Sequence, residues 1–336
     1  MRSAHLKKLW VCLLIAGLVC ATIVVFRWRS RDLASRFARE YRAYHESLHQ
    51  EMREVPRSSL GPRTWQHLRN IADLGPQVLP YVIDKEKKKG AAEHDPFAGL
   101  VFLMITRKRF EKYEWPEGKL GDSSTHVELF VKWWEKGRRE TREKFDGYYT
   151  QWKDLMSQGH ERAAEQMYKS ICDLGIAAIP HMVRKVEEGE TRLIPAVADL
   201  TEGQLEETAS SKALSKWWQE NRERWVVPFP NTRPIAQAVA SGQVTSGEVV
   251  MLSGSDSHDP DGDGLQYRWT QNEGPQVNLS EPAAATTSFL APAVQKETEL
   301  AFVLTVTDDA ARWGSATRDL QSEPVRVRVI VKPPGS

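Results

Sequence analysis

Cysteine is nearly absent from this chain of 336 residues. Cys12 and Cys20 fall in an apolar N-terminal stretch, so Cys172 stands alone in the remainder and no disulfide can form there. Net charge is missing as well. The 46 basic and 45 acidic residues leave +1, which excludes the one-signed field that nucleic-acid binding requires. Any electrostatic function therefore has to be local. The basic run Lys85 to Lys89 has no glycine-rich loop beside it, so it reads as a solvated helix end and not as a phosphate cradle.

What is present begins with a long uncharged run from Leu9 to Phe26. Arg2, Lys7 and Lys8 precede it, and Arg27, Arg29 and Arg31 follow. That length suffices to cross a bilayer as one helix. The expected start is a basic segment (1–8), a transmembrane helix (9–26) and a juxtamembrane helical stalk (27–56). A cleaved signal peptide fits less well, because the apolar run continues through Thr22-Ile-Val-Val-Phe26. A lipoprotein fits less well again, with Val19 before Cys20. The charges flanking the span would keep the bulk of the chain in the cytoplasm, although long soluble domains translocate largely regardless of charge. Within the stalk, Leu33, Phe37, Tyr41, Tyr44, Leu48 and Met52 line one helical stripe. Val55-Pro-Arg-Ser-Ser-Leu-Gly-Pro62 marks a boundary.

An internal repeat follows. Ile71-Ala-Asp-Leu-Gly75 recurs as Ile171-Cys-Asp-Leu-Gly175, Leu79-Pro80 as Ile179-Pro180, and Lys132-Trp-Trp-Glu135 as Lys216-Trp-Trp-Gln219, with Arg138 matching Arg222. Each copy reads as a helix stopped by Leu-Gly, a helix with Pro in its first turn and a Trp-Trp helix. The pattern is similar to HEAT-type helical pairs. It implies an α-helical domain over 60–226 in two units, about 64–145 and 164–226, with Leu74 and Leu174 as equivalent buried positions. The repeat also serves as a control. Cys172 and His181 can be drawn as nucleophile and base, but their counterparts are Ala72 and Tyr81, which points to packing. Likewise, the recurrence of Trp133, Trp134, Trp217 and Trp218 favours core and interface positions over a sugar-stacking platform.

A Pro-rich segment, 227–233, reads as a stiff linker belonging to neither core. An all-β domain over 234–332 comes next. Strands are expected at Val249 to Leu252, Leu265 to Trp269, Val277 to Leu279, Thr286 to Phe289, Leu300 to Thr307 and Val325 to Val331, with an edge strand near Ile235 to Val239. Leu300, Phe302, Leu304 and Val306 supply one apolar face, and Trp269 is the candidate core tryptophan. The sequence Ser255-Asp-Ser-His-Asp-Pro-Asp-Gly-Asp263 precedes Leu265-Gln-Tyr-Arg-Trp269. Then come Thr287-Ser-Phe289, Ala291-Pro292 and Leu304-Thr-Val-Thr-Asp-Asp309. This ordered series resembles the PKD family of immunoglobulin-like domains over about residues 232 to 332. The resemblance implies a β-sandwich, a binding role and a noncytoplasmic setting. The expected fold class is multidomain α plus β: transmembrane helix, HEAT-like domain, PKD-like sandwich.

Two constellations bear on chemistry. His45-Glu46-Ser-Leu-His49 has the spacing that puts two imidazoles on one helical face for zinc, with the glutamate as base. However, Glu51, Met52 and Val55 stand where the extended zinc motif has other residue types. Asp259, Asp261 and Asp263 occupy alternate positions with Gly264 sixth, as in the start of a calcium loop, but Thr270 at the twelfth position excludes an EF-hand. Two readings stay open: a structural Asx-rich turn, or a calcium site completed by Asp308 and Asp309 after the sixth strand, at the same end of the sandwich. The function expected is therefore non-enzymatic. It is binding or scaffolding of a protein or carbohydrate partner by a single-pass protein of the cell membrane, with the soluble part periplasmic or extracellular. The alternative is an anchored zinc metallohydrolase using His45, Glu46 and His49.

Overall fold

The computed structural model describes residues 32–51, 60–89, 94–95, 98–310 and 318–335. The chain divides into two compact units. One comprises Met1–Arg107 and Glu111–Val131; the other comprises Lys108–Phe110 and Lys132–Ser336. The expected architecture is corrected at its start: the structure is a helical region followed by a β domain. No helix among the described residues is long and apolar enough to cross a membrane. The span assigned to 9–26, like the segments 1–8, 27–31 and 52–56 beside it, lies outside the described residues.

In the first unit, residues 32–51 form helix α1. The apolar stripe read from the sequence is there, but the helix is no free stalk. Phe37 and Tyr44 are buried, with the Phe37 ring 5.9 Å from that of Tyr81. Polar side chains then fix the helix. Tyr44 donates to Asp95 (2.9 Å), and Ser47 lies 3.0 Å from the Thr64 hydroxyl. Glu51 accepts from the Arg63 and Thr64 amides and from the Thr64 hydroxyl (2.6 Å), and this last bond, the largest influence, holds its carboxyl below the usual range. Glu51 thus serves as the missing cap of helix α2, Pro62–Ala72, whose own N-cap residue Gly61 offers no side chain. Gly61 has to be glycine, since a Cβ there would collide with the Glu51 carboxylate. Helices α3 (Leu79–Lys87) and α4 (Ala98–Thr106) follow. Phe102 of α4 stacks on Phe130 at 5.0 Å; Phe130 lies in α5 (Ser123–Ser157), which runs on into the second unit.

The second unit continues with α6 (Glu161–Asp173), α7 (Ile179–Glu187), α8 (Ile194–Leu200) and α9 (Ser211–Trp225). The two copies of the repeat share their local structure. In each, the Leu-Gly stop places glycine at positive φ, 77° for Gly75 and 72° for Gly175. A short 3-10 turn and a helix with Pro in its first turn follow. A third such start, unrecognised in the sequence, appears at Gly189 (φ 106°), a 3-10 turn over Thr191–Leu193, and α8 beginning Ile194-Pro195. The equivalence of the leucines is only partial: Leu174 is buried and Leu74 half-buried.

The β domain is a sandwich of two sheets. One has the order β1-β3-β5, from Val239–Ala240, Val249–Ser253 and Thr286–Leu290; the other has the order β2-β7-β6-β4, from Gln243–Thr245, Val325–Lys332, Thr298–Asp308 and Leu265–Glu273. All neighbours are antiparallel except β2 and β7. The alternating residues do what alternation requires: Val250, Leu252, Trp269, Phe289, Leu300, Phe302, Leu304, Val306, Val329 and Val331 close one core. Trp269 is buried and donates its indole N–H to the Ala284 carbonyl (3.2 Å). Two expected strands change. Val277 to Leu279 is irregular, its first amide held by the Gln271 side chain (3.0 Å). The first edge strand shrinks to a bridge between Ile235 and His258 and the two residues of β1. The linker is also corrected. Val226, Val227 and Phe229 are buried, and the Phe229 ring meets Trp133 edge-on at 4.8 Å and Trp134 at 5.6 Å.

Leu174→Ala should cost about 2–5 kcal/mol in denaturant unfolding, as a fully buried leucine does. Leu74→Ala should cost distinctly less, in keeping with its half-exposed site.

Candidate functional site

The acidic turn lies between β3 and β4. Asp259 organises it as an Asx turn, its Oδ1 accepting from the Asp261 amide (2.8 Å) and the Asp263 amide (3.1 Å). Gly262 takes φ 78°, open to glycine without strain. The result brings one carboxylate oxygen from each of Asp259, Asp261 and Asp263 within 4.8 Å of one another. Asp261 accepts from the Thr232 amide (2.5 Å) and hydroxyl (3.3 Å). Asp259 Oδ2 is buried with no hydrogen-bond partner among the described residues. Burial raises the Asp259 carboxyl above its ordinary range, and the charges of Asp263 and Asp261 add to this, against the two backbone N–H donors.

The countercharge comes from the helices. Helix α5 breaks at Gly137 (φ 66°, ψ −156°), and the next residue, Arg138, is buried against the turn. Its Nε donates to Asp263 Oδ1 (3.3 Å) and its Nη2 to Asp263 Oδ2 (2.5 Å), the fork matching the carboxylate. The same Nη2 donates to Asn231 Oδ1 (2.7 Å) and stands 3.9 Å from Asp261 Oδ2. One helical turn on, Arg142 donates to the Gly262 carbonyl. A Cβ at Gly137 would stand 3.6 Å from Asp261 Oδ1, so the glycine is needed for its torsion and not for space.

Asp308 and Asp309 reach the same end of the sandwich but are committed to other partners. Asp308 is fully buried; its Oδ1 accepts from the Leu320 amide (2.9 Å) and its Oδ2 from Asn231 (3.0 Å). Asp309 accepts from the Gly264 amide (2.8 Å). Neither belongs to the group of carboxylates close enough to share an ion, which is Asp259, Asp261 and Asp263 among the described residues. Arg138, Arg142, Asn231 and Thr232 are the residues that sequence reasoning missed. The available signal was a glycine inside a helical pattern followed by arginines four apart.

The other candidates are placed differently. His45 Nε2 faces Asp95 at 3.7 Å, with the Tyr41 and Tyr44 rings at 4.5 and 4.8 Å; burial lowers its pKa. Glu46 and His49 are exposed, and the triplet does not gather into a metal-holding group. Nearby, Glu86 is fully buried and accepts from Lys89 (2.8 Å) and the Asp95 amide (3.0 Å). Burial pushes the Cys172 thiol up to about 12, which makes it a poor nucleophile. His181 is buried, its ring stacked 5.4 Å from Phe145. Trp133 and Trp134 are buried, whereas Trp217 and Trp218 are half-buried.

Sandwich, turn and strand order together define an immunoglobulin-like domain of the PKD type, joined to a helical region. Residues 238–319 match a family model described as a PKD domain. Among solved structures, the chain is similar to the PKD domain of the KIAA 1837 protein, with 25% identity over 32% of this chain and 94% of that one, at a TM-score of 0.24. It is also similar to a nucleoside hydrolase-related hypothetical protein from Saccharophagus degradans associated with carbohydrate metabolism, with 20% identity over 38% of this chain and 34% of that one, at a TM-score of 0.25. The chain thus spans about a third of that structure's length. No curated protein sequence matches the chain.

Because Asp259 ionises at a cost in the folded state, the stability lost appears as pH rises through its raised pKa. Asp259→Asn should therefore raise the thermal midpoint by about 2 °C at pH 7. The gain should vanish below about pH 3.5, where carboxyls are neutral in both proteins.

Proposed function

We propose that the protein is a non-catalytic binding or scaffolding protein whose PKD domain is the recognition module. The observation that carries this reading is the difference between the two outer faces of the sandwich. On the β2-β7-β6-β4 sheet the outer face is charged and self-paired: Arg326 with Glu273 at 2.5 Å, and Arg328 with Glu299 at 3.3 Å. On the β1-β3-β5 sheet, Val239, Val249, Met251 and Leu290 are 58%, 66%, 53% and 62% exposed. The register sets them on one face with Ser253, Thr286 and Ser288. That face carries apolar groups and hydroxyls and no charge, as an interaction surface does. It has no aromatic ring on which a sugar could stack, which favours a protein partner over a carbohydrate. The loop end of the sandwich is less accessible, because Arg138 and Arg142 already cover the acidic turn.

The helical region is read as a HEAT-like support, on the strength of the matched glycine stops and Pro-started helices in both copies. The setting we propose is the cell envelope, outside the cytoplasm, which rests on the PKD resemblance. The zinc-hydrolase alternative gains no support from the side chains of His45, Glu46 and His49 as placed above.

Calcium at the acidic turn is a second reading, favoured by the three close carboxylates and the orphaned Asp259 Oδ2. An ion there would be held by Asp259 and Asp261 and would share Asp263 with Arg138.

For the first reading, the full chain serves as bait against envelope extract and against polysaccharide beads, beside Val249→Lys/Met251→Lys. The double variant should fold with an unchanged midpoint and lose its protein captures by about tenfold or more, as loss of a central apolar contact does. Equal capture by both proteins, or retention on polysaccharide alone, would count against a protein-binding face. For calcium, calorimetry at millimolar concentration should give a binding heat, larger in Arg138→Ala. No heat and no rise in melting temperature in either protein would leave the turn as structure alone.

A further inference from the structure

We infer that Arg138 is a latch: the sandwich is held against helix α5 by insertion of this one guanidinium into the acidic turn, and swings on segment 226–234 when the guanidinium leaves. The polar contacts of α5 with the turn come from Arg138 and Arg142, four residues apart and so on one helical face. They end within three consecutive residues, Asp261 to Asp263. The segment joining the helices to the sandwich is tied to the same point. Asn231 bridges Arg138 to Asp308 and also donates to the Arg318 carbonyl (2.8 Å), and Thr232 caps Asp261. Removal of the guanidinium therefore takes away the element on which the other bonds converge.

The closed arrangement is also imperfectly satisfied. Arg138 Nη1 and Asp259 Oδ2 are both buried without a hydrogen-bond partner among the described residues, and three carboxylates share one buried cation. Water would satisfy each of these groups on opening. The joint thus balances a strong two-pronged ion pair against groups that gain from release, the condition for two accessible arrangements. The aromatic contact of Phe229 with Trp133 and Trp134 keeps the linker on the helices in the closed form. Release would uncover the loop end of the PKD domain, which is masked while Arg138 is seated. A partner that bound the acidic turn would have to displace the guanidinium first.

The test uses the full chain and reads two quantities: the protease cleavage rate within 226–234 and the radius of gyration in small-angle scattering. Arg138→Ala should raise cleavage about tenfold or more and increase the radius, with the circular dichroism spectrum unchanged. Asp263→Asn should act in the same direction, and the exchanged pair Arg138→Asp/Asp263→Arg should return both readings toward those of the parent. If Arg138→Ala does not fold, Arg138→Lys replaces it, since it keeps the charge and loses the fork. Parent-like cleavage and radius in the folded Arg138 variant, or exchanged charges that restore neither reading, would overturn the latch.

Discussion

A guanidinium taken out of water has to be met by carboxylates held in place, and in this protein that requirement organises the whole junction between helices and sandwich. Arg138 is 6% exposed, and a cation so buried is tolerable only with well-aimed partners. The aim is supplied from both sides. On the helical side, the break at Gly137 directs the side chain; on the sandwich side, the Asx turn of Asp259 fixes the backbone that presents Asp261 and Asp263. The linker is then drawn into the arrangement through Asn231 and Thr232.

This arrangement divides the labour of the β domain. Its loop end, the usual place for variable contacts in a sandwich, is occupied by the chain's own helix. One sheet face is closed by its own ion pairs. The remaining sheet face is the uncharged one, and the recognition role is assigned there. The acidic turn, the most conspicuous stretch of the sequence, thereby becomes a fastening with an internal partner, and whether it also takes an ion depends on how firmly that partner is seated.

The sandwich was legible because strand alternation is a local property: β3 through β7 were read to within a few residues from Val249, Leu265, Thr286, Leu300 and Val325. Strand β2 was not, because Gln243–Thr245 has too few residues to alternate and exists only by pairing with β7. Val277 and Leu279 imitate alternation while packing against the core without a ladder. The linker misled through its prolines; the sign of docking was the apolar Val226, Val227 and Phe229 between them. Arg138 was read only as a repeat position, since nothing within its helix reveals a carboxylate 125 positions along the chain. The stripe of α1 was correct as periodicity, but periodicity does not say what covers it, and the packing against Tyr81 and Asp95 is a tertiary fact.

The ladder of Arg326, Arg328, Glu273 and Glu299 has a colloidal side as well. Fixed charges beside the exposed edge strand β4 discourage edge-to-edge association between molecules, and their reach is set by the Debye length, about 8 Å at physiological ionic strength. Added salt shortens that reach while leaving the attraction of the opposite, uncharged face intact or strengthened. Such a protein becomes more self-associating as electrolyte rises, the reverse of a molecule whose contacts are ionic, so dilute buffers are its natural solvent for crystallisation and scattering alike.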